Sequence, residues 1–91
     1  MAEATVQLPN PSGLHARPAK VFAKAAAGTS GTVTLAKDGR EVNASSVLSV
    51  LTLDCHQGDE IVVKVEGGDD PQAALDELVA LIESGIGEGT P

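Results

Sequence analysis

The sequence predicts a two-layer α+β fold: a four-stranded antiparallel sheet with three helices on one face, in the order β-α-β-β-α-β-α. Three observations carry this expectation. Several short segments alternate apolar and polar residues, which gives each strand one dry and one wet face. Segments of helical period fall between them, each bounded by capping or breaking residues. Asp38-Gly39 sits between two strand-like runs and signals a tight hairpin.

The elements follow in order. Ala4, Val6 and Leu8 alternate with Thr5 and Gln7 as a first strand. Asn10 to Gly13 is turn chemistry, with Pro11 and Gly13 breaking regular structure. From Ala16 the period changes. Pro18, Val21, Phe22 and Ala25 form one helical stripe, and Arg17, Lys20 and Lys24 form another, before Gly28 ends the helix. T-V-T-L-A at 32–36 and R-E-V-N at 40–43 are the arms of the hairpin.

Val47, Val50 and Leu51 then repeat at helical spacing behind a serine able to cap, which reads as a short helix; a β-branched strand is the alternative. Gly58-Asp59 turns into E-I-V-V-K-V, with Ile61, Val63 and Val65 on one face. Asp70-Pro71 supplies an N-cap and a first-turn proline. Ala74, Leu75, Leu78, Leu81 and Ile82 make the apolar face of a last helix that stops near Gly85. All 91 residues form one expected domain, with 86–91 as a frayed tail.

Composition narrows the function classes. The chain is 42% apolar and 21% charged, with one phenylalanine and no tyrosine or tryptophan, so its core must be aliphatic. A net charge of −7 and the lack of aromatic stacking platforms argue against nucleic-acid binding. The charge is uneven: residues 1–45 hold five of the six basic groups and only the acids Glu3, Asp38 and Glu41. That half offers the favoured place for an anion. Cys55 is the only cysteine, so no internal disulfide forms. No apolar run approaches membrane-spanning length, and M-A-E-A-T lacks the features of a signal peptide. A cytoplasmic protein, not inserted in a membrane, is expected.

The stretch N-P-S-G-L-H-A-R-P-A at 10–19 concentrates the chemistry. With the helix starting at Ala16, His15 is its capping residue and Pro18 falls in the first turn, where a missing N–H costs nothing. The backbone amides of Ala16 and Arg17, with the positive end of the helix dipole, make an anion site. Arg17 adds a guanidinium able to grip phosphate with two parallel hydrogen bonds. A neutral imidazole at position 15 is a nucleophile toward phosphorus, and the positive surroundings oppose its protonation. The plainer alternative makes His15 a polar cap, with Arg17, Lys20 and Lys24 a solvated face.

G-L-H-A-R-P-A at 13–19 resembles the active-site segment of HPr, the histidine-containing phosphocarrier family of the phosphoenolpyruvate:sugar phosphotransferase system. V-N-A-S-S-V-L at 42–48 and T-L-D-C-H-Q-G-D-E at 52–60 extend the resemblance, the latter matching the family's T-L-x-x-x-Q-G-D/E. The resemblance implies an open-faced sandwich. It implies that enzyme I phosphorylates His15 on Nδ1, that Arg17 stabilises the phosphoryl group, and that IIA domains of sugar permeases receive it. It implies a monomeric carrier with no cofactor and no turnover of its own. Rival readings are a regulatory binding module of the same fold acting through Ser46, and a nitrogen-regulatory carrier with other partners.

Ser46 occupies the position where many relatives carry a serine phosphorylated by an HPr kinase; by plain physics it is first a helix N-cap. Val47, Leu48 and Leu51 cannot all face inward on one short helix. By the resemblance they form a partner-docking patch with Lys20 and Lys24 of the first helix. Cys55-His56 lacks chelating spacing, so no metal is expected there and the pair reads as incidental to its loop.

Overall fold

The computed structural model describes residues 2–9, 13, 14 and 16–86. Its elements are β1 (Ala2–Gln7), α1 (Ala16–Ala27), β2 (Thr32–Lys37), β3 (Arg40–Asn43), α2 (Val47–Leu51), β4 (Glu60–Glu66) and α3 (Pro71–Glu83). The order is the one expected from the sequence, and the short segment at 47–51 is a helix rather than a strand.

The four strands form one sheet in the order β1-β4-β2-β3, with every neighbouring pair antiparallel. Register follows from the alternation. Val65 stands between Ala2 and Val33, Val63 between Ala4 and Leu35, and Ile61 opposite Val6. These residues line the dry face, where Val33, Leu35, Ile61, Val63 and Val65 are buried. A one-residue slip of β4 would turn Ile61, Val63 and Val65 toward solvent, so burial fixes the pairing. The hairpin between β2 and β3 turns on Asp38 and Gly39, with φ of 52° and 83°. Positive φ at both central residues is the two-residue turn whose twist matches the strands, and Asp-Gly is a favoured pair for it.

The helices close the dry face. From α1, Ala19, Phe22 and Ala26 are buried, and Phe22, the only aromatic residue, is fully enclosed. From α3 come Leu75, Leu78 and Ile82. Small residues on α1 let the helix lie close to the sheet, and aliphatic side chains fill the rest. The Asp70 side chain caps α3 by accepting the Ala73 N–H at 3.1 Å, with Pro71 in the first turn.

One boundary differs from expectation. Ile86, assigned from sequence to the frayed tail, is fully buried within the core cluster. After Ser84 the chain reverses through Gly85 at φ 93° and Ile86 at φ 49°, and the Ile86 N–H returns to the Leu81 carbonyl at 3.1 Å. The reversal satisfies carbonyls of the last helical turn and brings the isoleucine back onto the core. A β-branched residue in the left-handed region is strained, and burial of its side chain offsets that strain. Residues 87–91 of the expected tail lie outside the described residues.

Truncating this side chain separates the two assignments. Ile86→Ala is expected to lower unfolding free energy by about 2–5 kcal/mol in denaturant titrations. A residue in a frayed tail would change it by less than about 0.5 kcal/mol.

Candidate functional site

The site is built where the end of β1, the start of α1 and the α2–β4 connection meet. Gly13 has φ 63°, and a Cβ placed there would lie 2.3 Å from the Cys55 carbonyl oxygen and 2.7 Å from the His56 Cα. Only glycine combines that dihedral with that approach. Leu14 follows, buried, and donates its N–H to the Cys55 carbonyl at 2.9 Å. On the far side of position 15, Pro18 is fully buried in the first turn of α1. His15 therefore sits in sequence between two buried anchors. His15 itself, and Asn10 to Ser12, lie outside the described residues.

The helix begins at Ala16, as the capping argument requires. The first-turn amides of Ala16 and Arg17 have no acceptor within the helix, and Pro18 has no N–H to give. Arg17, Lys20 and Lys24 are exposed. No acid stands in the first turn of α1, so its positive end is not offset locally.

The 54–59 turn supports this segment from below. Leu8 donates its N–H to the Asp59 carbonyl at 3.0 Å, and the Gly58 N–H returns to the Leu8 carbonyl at 2.8 Å. The Gln57 side-chain amide donates to the Pro9 carbonyl at 3.0 Å. The turn is braced in its own right. Asp59 accepts the His56 backbone N–H at 2.8 Å and meets the Lys37 ammonium at 2.9 Å. Lys37 also donates to the Asp54 carbonyl at 2.7 Å, and Arg40 to the Thr52 carbonyl at 2.9 Å.

Cys55 is buried, and desolvation pushes its thiol up to about 11, so it stays protonated near neutral pH. Its carbonyl, not its sulfur, contributes to the site. His56 is exposed and lies 3.1 Å from the Asp54 carboxylate, an open surface pair of small consequence. Among the described residues no group of three His, Cys, Asp or Glu side chains could hold a metal ion. The Cys55 carbonyl and the His56 N–H are both engaged in the backbone framework of this segment. Lys37, Gln57 and Asp59 were missed from the sequence because their roles depend on contacts over long chain separations.

Ser46 caps α2, its Oγ accepting the Ser49 N–H at 3.3 Å. Ser45 is exposed and its hydroxyl donates to the Asn43 side chain at 2.7 Å, so of the two serines only Ser46 is the cap. On α2, Val50 is buried, Val47 and Leu51 are half-buried, and Leu48 is 78% exposed. The helix packs against α1, which places an apolar patch beside the helix that carries Arg17, Lys20 and Lys24. No described helix is long and apolar enough to cross a membrane.

The family model described as "PTS HPr component phosphorylation site" matches residues 2–84. The chain belongs to the HPr family. The phosphocarrier protein HPr of Streptomyces coelicolor is 45% identical over 97% of this chain and 95% of that protein. A solved HPr from Thermoanaerobacter tengcongensis superposes with a TM-score of 0.90 at 41% identity, covering 97% of this chain and 98% of that one. Crh from Bacillus subtilis, solved as a dimer with a swapping domain, is more distant: TM-score 0.73 and 34% identity, over 93% and 97% of the two chains. The open sheet with three helices on one face is thus the HPr fold, as expected.

The bracing of the turn sets a pH dependence. The His56 backbone N–H and then the Lys37 ammonium hold the Asp59 carboxyl below its ordinary value. A carboxyl lowered on folding stabilises the protein above its unfolded pKa, and that contribution disappears as pH falls through the folded value. Lys37 is raised, chiefly by its hydrogen bond to Asp59, so its contribution persists until pH climbs past the ordinary lysine range. Denaturation midpoints should fall as pH drops from about 5 to about 2. Asp59→Asn should make that fall shallower and should also weaken the alkaline dependence, because the rise at Lys37 comes chiefly from Asp59; an unchanged acid slope would mean that Asp59 contributes nothing.

Proposed function

We propose that this protein is a phosphocarrier that accepts a phosphoryl group on His15 from enzyme I and passes it to IIA domains of sugar permeases. The observation that carries the reading is the acid-free start of α1, with exposed Arg17 two residues beyond His15 and buried Leu14 and Pro18 on either side in sequence. In acceptance the neutral His15 Nδ1 supplies the lone pair for the new P–N bond, and the donor's leaving group keeps the electrons of the bond that breaks. In donation the P–N bond breaks, its electrons return to the imidazole, and the acceptor supplies the pair for the new bond. The first-turn amides and Arg17 receive the charge on the phosphoryl oxygens. Nothing is consumed between acceptance and donation, so the protein has no turnover of its own. It works as a cytoplasmic monomer and needs no cofactor.

The apolar patch of Val47, Leu48 and Leu51, with Lys20 and Lys24, is the docking surface in this reading. An apolar centre with cationic neighbours suits partners that present an apolar site rimmed by acids. A second reading makes the chain a regulatory module acting through Ser46, which a kinase of the HPr type would phosphorylate. The presence of His15 favours the carrier. A nitrogen-regulatory branch shares the same chemistry and differs only in its acceptors.

Incubation with phosphoenolpyruvate and enzyme I, read by intact mass, tests the reading. The parent should gain one acid-labile, alkali-stable phosphate. His15→Ala should abolish it and His56→Ala should leave it intact; the reverse pattern would move the acceptor to position 56. Arg17→Lys keeps the charge but loses the planar fork, and transfer should slow by about tenfold or more without loss of folding. Arg17→Glu should be slower still.

Ser46→Asp tests the second site. An anion at a helix start is tolerated or stabilising by about 0.3–1 kcal/mol, so the melting temperature should hold or rise slightly. Phosphorylation of His15 by limiting enzyme I should slow, because the new charge borders the docking patch. Transfer at the parent's rate would leave Ser46 as a cap only.

A further inference from the structure

Lys37 closes β2 and pairs across the hairpin with Arg40, far in sequence from His15, yet its ammonium reaches both ends of the turn that holds Gly13 and Leu14. Nζ lies 2.7 Å from the Asp54 carbonyl and 2.9 Å from the Asp59 carboxylate. The Lys37 side chain is only 18% exposed. Between those two contacts stand Cys55, whose carbonyl accepts the Leu14 N–H, and His56, whose N–H donates to Asp59. Asp54 has φ 52°, a conformation most side chains avoid, and the lysine bonds directly to its carbonyl. One cation thus ties the strained start of the turn to its end.

We infer that Lys37 is a positioning residue for phosphoryl transfer, acting through the 54–59 turn to hold Gly13 and Leu14 and so to set the approach of His15. The inference rests on the carrier reading above. An ammonium suits the task because its three donors can serve a carbonyl and a carboxylate together, and the partly desolvated site strengthens both bonds. Without it, the Asp59 carboxylate keeps the His56 N–H but loses its cation, and the Asp54 carbonyl loses its donor. The turn then samples other conformations, and Gly13 and Leu14 move with it. Small displacements of a nucleophile slow in-line transfer without altering where the partner binds.

Lys37→Met preserves the stem and removes the donors. Two readouts separate positioning from general stability. In amide exchange, Leu14 should lose about tenfold of its protection relative to Val63 in β4, whereas a merely structural loss would move both amides together. With this protein as the substrate of enzyme I, kcat should fall about five- to tenfold at unchanged KM. Lys37→Arg, which can still donate to both acceptors, should recover most of both effects. Lys64→Met removes the other lysine paired on the sheet, with Glu41, and should change neither. Leu14 exchange that tracks Val63 in Lys37→Met, or unaltered kcat in a parent that is labelled, overturns the inference alone. A parent that enzyme I does not label overturns the carrier reading as well.

Discussion

The closest approach on which the site depends is that of the Gly13 backbone to the carbonyl of Cys55. A single added carbon at position 13 would meet that oxygen at 2.3 Å, and the next residue donates its N–H to the same oxygen. Two segments more than forty residues apart in the chain are thereby fixed against each other without any side-chain chemistry. Leu8, Pro9 and Gly58 extend the contact by backbone and amide hydrogen bonds. The start of α1 inherits its position from this seam, because Leu14 on one side of His15 and Pro18 on the other are both buried. A reactive side chain on a short segment can be exposed and still well placed when its neighbours are anchored in this way.

Charge is arranged around the same point. The chain is acidic overall, but its basic groups at Arg17, Lys20 and Lys24 share one exposed helix whose first turn has no acid. Lys37 and Arg40 are turned to a different use: both donate to carbonyls of the α2–β4 connection. The cations of the N-terminal half therefore divide into an exposed group on α1 and a group bonded to the α2–β4 connection. Net charge keeps the rest of the surface unattractive to polyanions.

Most of the architecture was legible because alternation, helical period and capping agreed at each element. Val65, Val63 and Ile61 alternate because one face of β4 is buried, and Asp38-Gly39 is read as a hairpin because few other pairs suit its turn. At the site, the start of α1 at Ala16, with Arg17 and Pro18 in its first turn, was legible from the change of period. The bracing was not. Lys37 and Asp59 are ordinary surface residue types, and only the folded register of the hairpin against the 54–59 turn brings them together. Ile86 was misread for a related reason: a glycine near a helix end signals a stop but not the direction in which the chain then returns. In the Cys55-His56 pair it is the Cys55 carbonyl that bonds to Leu14 and the His56 N–H that bonds to Asp59, contacts that residue type does not announce.

In the carrier reading, the seam between Gly13 and Cys55 places the phosphoryl acceptor. This is tested most directly by the rate at which enzyme I phosphorylates Gly13→Ala, compared with Ile86→Ala at a temperature where both remain folded. Ile86 lies beyond the end of α3 and returns its N–H to Leu81, so its variant serves as the comparison for lost stability. Gly13→Ala is expected to be slower than Ile86→Ala by about tenfold or more, since the added carbon must displace the acceptor segment or the turn beneath it. Equal rates in the two variants would contradict it, and would mean that the acceptor finds its geometry without the seam.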